Sequence, residues 1–262
     1  MRRSGSKVDK QNVPIGKFCL LFSMALRSIL SATTRMFLDT LFPIMCVKCG
    51  MEGEWLCRSC AVAIPLKTRE TCFVCKEPSR AWRTCYSCRS LCTLSGVIGF
   101  FEYSEDIIKT ILKIAKYGFV KDILPPLLRV IAPYVTPVVE VLDLDPRAVL
   151  LVPVPLHPRR LRERGFNQSE IIAKAFALAS GATFSSTLTR RGMRPPQASL
   201  DAFDRARNIR KTFTCSDPAS VRGRLVFIID DVATTGSTLD ECGRVLKNAG
   251  AAEVWGIVLA RG

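Results

Sequence analysis

The sequence predicts an α/β protein, an open parallel-sheet domain preceded by a small cysteine-rich module. Three observations carry that reading. Ten of the twelve cysteines lie before residue 93, eight of them in four C-x-x-C pairs. Beyond them, continuous apolar runs of strand length alternate with segments of helical periodicity, as expected of parallel strands covered on both faces. One such run, Leu225–Ile229, leads into two acids and a Thr/Ser/Gly loop that opens a helix, the position at which open α/β sheets bind ligands. With 262 residues, 48% apolar and 23% charged, 16 Gly and 15 Pro, the composition excludes a disordered, collagenous or coiled-coil chain.

Residues 1–40 read as an N-terminal extension, helical or dispensable. Their longest uncharged apolar stretch, Phe18 to Leu26, lies between Lys17 and Arg27, far short of the ~20 residues a membrane span needs. Acid-poor and arginine-bearing, the segment suits an organelle transit peptide or an amphipathic surface helix. Translation starting at Met24 or Met36 would remove most of it.

Residues 41–92 hold the pairs Cys46/Cys49, Cys57/Cys60, Cys72/Cys75 and Cys85/Cys88. Two thiolates of one tight turn grip the same tetrahedral metal, and two such turns complete a four-cysteine zinc site. Eight ligands imply two zinc ions. Sequential pairing joins the first pair with the second and the third with the fourth; an interleaved arrangement stays open. Closed all-cysteine sites leave no position for substrate, so the zinc is structural. The competing reading is a secreted disulfide module. Regular C-x-x-C spacing, without an evident cleavable signal peptide, favours zinc and a reducing cytoplasm. Cys19, Cys92, Cys215 and Cys242 then remain as ordinary thiols.

Residues 93–262 form the sheet domain. Val97–Tyr103 reads as a strand and Asp106–Ala115 as an amphipathic helix. Residues 123–142 read as helix in pieces, interrupted by Pro125, Pro126, Pro133 and Pro137. Ala148–Val154 is a buried strand, Glu170–Ala179 a helix stopped by Gly181, and Leu225–Ile229 another buried strand. Thr238–Asn248 is a helix ended by Gly250, and Glu253–Ala260 a closing strand.

The net charge of +15 is uneven, reaching +8 over residues 149–222, where Arg159, Arg160, Arg162, Arg164, Arg205, Arg207, Arg210 and Lys211 gather. That stretch suits a polyphosphate or nucleic-acid partner, and equally a solvated basic face. His157 is the sole histidine, and its place between Leu156 and Pro158 reads as a turn residue rather than a general base, since no orienting carboxylate can be named.

The chemistry concentrates in Val226 to Thr238, VFIIDDVATTGST. A strand ending in Asp230 and Asp231 offers acceptors to sugar hydroxyls and a place near hydrated magnesium. The Thr234, Thr235, Gly236, Ser237 and Thr238 segment offers N–H groups, hydroxyls and a helix N-terminus to a phosphate. This segment resembles the phosphoribosyl pyrophosphate (PRPP) signature of type I phosphoribosyltransferases, with Ala233 smaller than the aliphatic residue usual there. The stretch Val152 to Gln168, VPVPLHPRRLRERGFNQ, resembles the hallmark of the ComF family of competence-associated proteins. Lys116-Tyr117-Gly118, Pro195-Pro196-Gln197 and Arg207-Asn208 are similar to that family's other motifs.

The resemblance covers roughly residues 40–262 and implies a double zinc ribbon over 41–92 followed by a type I phosphoribosyltransferase-like domain over 93–262. It implies that Arg160, Arg164 and Asn167 contact pyrophosphate and that residues 190–212 form a flexible hood contributing Arg207 and Asn208. Asp230 and Asp231 would hold the ribose hydroxyls and take the catalytic part, with Thr234 to Thr238 on the 5′-phosphate. The cofactors are two structural zinc ions, and magnesium with PRPP.

Two functions follow. One is magnesium-dependent transfer of a phosphoribosyl group to an acceptor that the sequence does not identify. The other is a non-catalytic PRPP-fold protein that binds single-stranded DNA or a helicase partner during DNA uptake. Trp55, Phe73, Trp82 and Tyr86 are the only aromatic residues over 46–92, few for a single-strand stacking platform.

Overall fold

The computed structural model describes residues 43–67, 69–141, 148–190 and 212–262, with backbone alone over 136–141. Its Val-, Ile-, Leu- and Phe-rich runs form one wholly parallel sheet. The strands β1 (Val97–Glu102), β7 (Glu253–Arg261), β6 (Leu225–Ala233), β2 (Val149–Pro153) and β3 (Thr183–Phe184) lie side by side in that order. All five residues of β2 are buried, as are eight of the nine in β7. Such strands must be covered on both faces, which explains why they read as unbroken apolar runs rather than alternating ones.

The covering helices are α2 (Asp106–Tyr117), α3 (Leu124–Val141), α5 (Gln168–Ser180) and α6 (Ser237–Asn248), with two short helices, α1 (Arg58–Val62) among the cysteines and α4 (Pro158–Arg164) after β2. In α2 the buried positions Ile108, Ile111, Leu112 and Ala115 follow helical spacing. Helix α5 begins where the Asn167 side chain accepts the Ser169 N–H and stops at Gly181, whose φ of 75° suits glycine. An antiparallel hairpin, β4 (Leu188–Arg190) with β5 (Phe213–Cys215), and the short helix α4 were not anticipated; each is only a few residues long and carries no periodicity of its own.

Helix α3 corrects the expectation of a broken segment: it runs unbroken from residue 124 to 141. Pro125 and Pro126 occupy its first turn, where backbone N–H groups have no intrahelical partner to lose. Pro133 and Arg129 are both exposed, so water can serve the carbonyl that Pro133 leaves without a donor. The buried stripe Leu124, Leu127, Leu128, Ile131 and Val135 outweighs the lost hydrogen bond.

Strand β6 also differs from expectation, continuing past Ile229 to Ala233. Its pairing with β2 ends at Pro153 opposite Ile229, whereas its pairing with β7 continues to Arg261 opposite Ala233. The last four residues of β6 therefore overhang beyond β2 and open a crevice at the carboxyl edge of the sheet, where α/β sheets take their ligands.

Residues Met45–Gly262 form one compact unit in which the cysteine-rich segment packs on the sheet. Arg261, fully buried, donates through Nη1 to the carbonyls of Val97 (3.0 Å) and Thr71 (3.3 Å) and through Nη2 to Thr71 Oγ1 (3.3 Å). Gly99 of β1 makes room for that side chain, since a Cβ there would stand 2.4 Å from Arg261 Cγ. Among the described residues no helix is long and apolar enough to cross a membrane. The expected extension over 1–40 and most of the expected hood, with Arg207 and Asn208, lie outside the described residues, as does Cys19.

Candidate phosphosugar site and metal centres

The overhanging end of β6 presents Asp230 and Asp231, whose side chains diverge as successive strand residues do. Asp230 Oδ1 accepts from Ser169 Oγ at 2.8 Å, at the start of α5, and from the Asp231 N–H at 2.9 Å. Burial, reinforced by the neighbouring Asp231 charge, pushes the Asp230 carboxyl up to about 7. Asp231, itself buried, accepts a charge-assisted hydrogen bond of 2.9 Å from Lys116 Nζ, in the last turn of α2. The two acids thus have different surroundings, Asp230 held by a serine hydroxyl and Asp231 paired with a lysine.

The loop follows at once. Thr234 and Thr235 are exposed, and Thr235 Oγ1 lies 2.9 Å from Ser237 Oγ. Gly236, at φ 75°, is the residue before α6 and supplies no side-chain cap. The Ser237 N–H approaches Thr235 Oγ1 at 3.5 Å, and Gly236 offers no side chain to the N–H groups that follow, at the positive end of a twelve-residue helix. Hydroxyls and N–H groups in this arrangement suit a phosphate.

The arginines converge on the same edge. Arg164 Nη1 donates to Gln168 Oε1 at 2.6 Å; burial lowers its pKa against the pull of Asp231, and Arg160 lowers it further. Arg190 is lowered by burial and then by Arg160, with Cys242 and Asp230 acting in the opposite direction. Among the described residues, the buried Nε of Arg190 and Nε2 of Gln168 have no hydrogen-bond partner, donors that an anion or sugar could engage. Asn167 has its amide engaged with the backbone, donating to Val154 O at 3.0 Å and accepting from the Ser169 N–H at 3.2 Å. It shapes the turn from β2 into α5. His157 caps α4, its Nδ1 accepting the Arg159 N–H at 3.1 Å. A cleft of about 530 Å³, lined by Tyr103, Lys109, Thr110, Lys113, Lys116 and Tyr117 among others, opens beside the lysine that meets Asp231.

Ser169, Arg190 and a role for Lys116 escaped the sequence reading. Lys116 stood within a quoted motif, and its place one residue past the buried Ala115 was the available signal. Arg190 stood at the edge of the expected hood, and the three-residue strand that carries it gave no further signal.

The eight cysteines fall into two groups, Cys46, Cys49, Cys57, Cys60 and Cys72, Cys75, Cys85, Cys88, with the sulfurs of each group within 4.8 Å of one another. Pairing is sequential, and all described cysteines are free of disulfides. Cys49 and Cys57 stand 3.7 Å apart, as do Cys75 and Cys85. A tetrahedron with Zn–S bonds of about 2.3 Å has edges of roughly 3.8 Å, so both groups could hold zinc. The Cys57 N–H approaches Cys46 Sγ at 3.4 Å, and the Cys85 N–H approaches Cys72 Sγ at 3.5 Å. Although burial opposes it, such backbone N–H bonds hold Cys46 and Cys72 down at about 6. The side-chain bonds within each group, from Cys57 and from Cys85, push Cys60 and Cys88 up to about 12. Four thiolates this close need a cation to coexist.

Residues 170–262 match the phosphoribosyl transferase domain family. The chain is 41% identical over 108 residues to the DNA utilization protein YhgH of Salmonella typhi, covering 40% of this chain and 47% of that one. It is 32% identical over 114 residues to Competence protein F of Haemophilus influenzae, covering 42% and 50%. It is 34% identical over 85 residues to the adenine phosphoribosyltransferase of Mycobacterium marinum, covering 32% and 46%. The chain spans about half the length of the relatives it matches.

Proposed function

We propose, for a chain whose relatives make it a ComF-family protein with a phosphoribosyltransferase-type domain, that the carboxyl edge of its sheet binds magnesium–PRPP and passes the phosphoribosyl group to an acceptor. One observation carries this: an acid pair on the overhang of β6 followed by a hydroxyl-bearing loop and a helix N-terminus whose N-cap is a glycine. Sugar-hydroxyl acceptors and an anion cradle then lie a few residues apart on one continuous segment.

Asp230 and Asp231 accept from the ribose hydroxyls, and Lys116 holds Asp231 in place. Thr234, Thr235, Gly236, Ser237 and Thr238 cradle the 5′-phosphate. Arg160 and Arg164, with Arg190, face the pyrophosphate, for which the planar guanidinium fork is suited. The bond from the anomeric carbon to pyrophosphate breaks with its electron pair leaving on pyrophosphate. The acceptor's lone pair forms the new bond, and the acceptor gives up its proton. The chain's part is to position the sugar and stabilise the leaving charge; it names no general base. Magnesium fits the donor set, because two adjacent carboxylates at the end of β6 offer the oxygen ligands a hard cation takes, and when bound with PRPP it would neutralise the leaving group. Zinc fills both cysteine groups, residues 41–92 forming the ribbon module and 93–262 the transferase-like domain, in the cytoplasm.

Calorimetric titration of magnesium–PRPP into wild type and an Asp230→Asn, Asp231→Asn double variant tests the reading. Saturable binding by wild type that vanishes in the variant supports it. No binding at millimolar PRPP by folded, zinc-loaded protein overturns it. A second reading draws on the charge of +8 over 149–222 and on the names of the relatives. It is a non-catalytic protein contacting single-stranded DNA or a helicase. Steeply salt-dependent DNA binding, lost on cysteine-to-serine change in the ribbon, would favour it.

A further inference from the structure

We infer that Phe73 is a positioning residue for the Gly236 turn, so that metal in the second cysteine group sets the order of the anion-binding loop. Phe73 lies between Cys72 and Cys75, with 5% of its surface exposed, in one buried cluster with Leu94, Ala233, Leu239 and Val258. Its ring occupies the space of the side chain that Gly236 lacks: a Cβ there would stand 2.2 Å from Phe73 Cε1 and 2.9 Å from Cζ. The glycine is thus required twice, for its positive φ and for this contact.

Further ties converge on the same loop. Lys76, the residue after Cys75, places Nζ 4.6 Å from the Phe73 ring centroid and donates to Gly262 O at 2.7 Å. Gly262 in turn donates at 2.9 Å to the carbonyl of Ala233, the residue before Thr234. Arg261 covers the ring at 5.1 Å and bonds Thr71, the residue before Cys72. Beyond Cys88, the Thr93 N–H donates to Asp240 Oδ1 at 2.6 Å in the first turn of α6. The first cysteine group contacts helix α3 through α1. Two groups alike in sequence therefore serve different elements. A metal bound by Cys72 and Cys75 closes the turn that carries Phe73, and the ring forms the floor of the loop. The identity of the anion rests on the function proposed above; the mechanical coupling does not.

Amide hydrogen exchange of the full, zinc-loaded chain tests the coupling. The variants are Phe73→Ala, Phe73→Leu, Cys75→Ser and, in the first group, Cys49→Ser. Exchange at residues 234–238 should rise about ten-fold in Phe73→Ala and Cys75→Ser, less in Phe73→Leu, and not in Cys49→Ser, with β2 still protected. A cycle adds a readout that general destabilisation does not move: Gly236→Ala should loosen the loop in wild type and far less on a Phe73→Ala background. Unchanged loop exchange in Phe73→Ala, or a uniform rise across β2, β6 and the loop in both Phe73→Leu and Cys75→Ser, overturns the inference. Titration with magnesium–PRPP separates the two claims. Failure of wild type to bind removes the proposed function and leaves the exchange result standing. Binding by wild type with an undisturbed loop in the variants does the reverse.

Discussion

Replacing Asp230 by Asn should make the unliganded protein more stable at alkaline pH while removing a residue of the proposed site. Burial first, and the Asp231 charge second, raise the Asp230 carboxyl from 3.8 to about 7. Because the folded value lies above the unfolded one, the folded chain holds this proton more tightly. Its contribution to stability is complete below the unfolded value and is lost as pH rises through about 7. Between pH 5.5 and pH 8 the loss comes to about 2 kcal/mol, or roughly 4–8 °C in melting temperature for a domain of this size. Asn keeps an oxygen for Ser169 Oγ and the Asp231 N–H, so the substitution removes mainly the charge. Urea denaturation of both proteins at the two pH values measures the difference, and cancels the contribution of the cysteine groups they share. The variant should gain about 2 kcal/mol on wild type in going from pH 5.5 to pH 8. Parallel pH profiles would refute the claim that the fold favours the protonated form of Asp230.

Removing the cation opposite Asp231 should have the contrary sign. Lys116→Ala leaves a buried carboxylate without its 2.9 Å donor and should cost about 2 kcal/mol at pH 7, with Lys116→Arg recovering part; equal denaturation midpoints would dismiss the pair. His157→Ala should cost about 1 kcal/mol through loss of the α4 cap and leave PRPP affinity unchanged, as calorimetry would show. Plasma mass spectrometry should find two zinc ions per chain, falling to one in Cys57→Ser and in Cys85→Ser. A full complement in either variant would contradict the four-ligand grouping.

The parallel sheet was legible because strands covered on both faces are apolar along most of their length, and Ala148–Val154, Leu225–Ile229 and Glu253–Ala260, its leading glutamate apart, stand out as apolar runs. The extension of β6 to Ala233 was not, since acids at 230 and 231 are what a strand end looks like; only the register with β7 shows that pairing continues. Helix α3 misled because prolines were weighed without knowing which face met water. The acid pair and its loop were readable as contiguous chemistry. The residues that serve them arrive from other elements, Lys116 from 115 positions upstream and Ser169 from 61, and no local pattern marks a contact of that kind. Phe73 is the extreme case, an apolar residue between two cysteines whose partner is a glycine absent from its own neighbourhood.

The placement of β7 has a consequence for biosynthesis. Of the sheet's strands it is the last to leave the ribosome, yet it stands between β1 and β6. Until residues 253–261 emerge, β1 has no neighbour and β6 offers an open edge, both apolar. Nascent chains must therefore carry β1 without a partner while residues 103–252 are made, and β6 with one open edge for a much shorter time, a state prone to mispairing with other chains. The cysteine turns need only local residues and can take up metal early, so this molecule assembles from its metal centres inward and closes on its final strand.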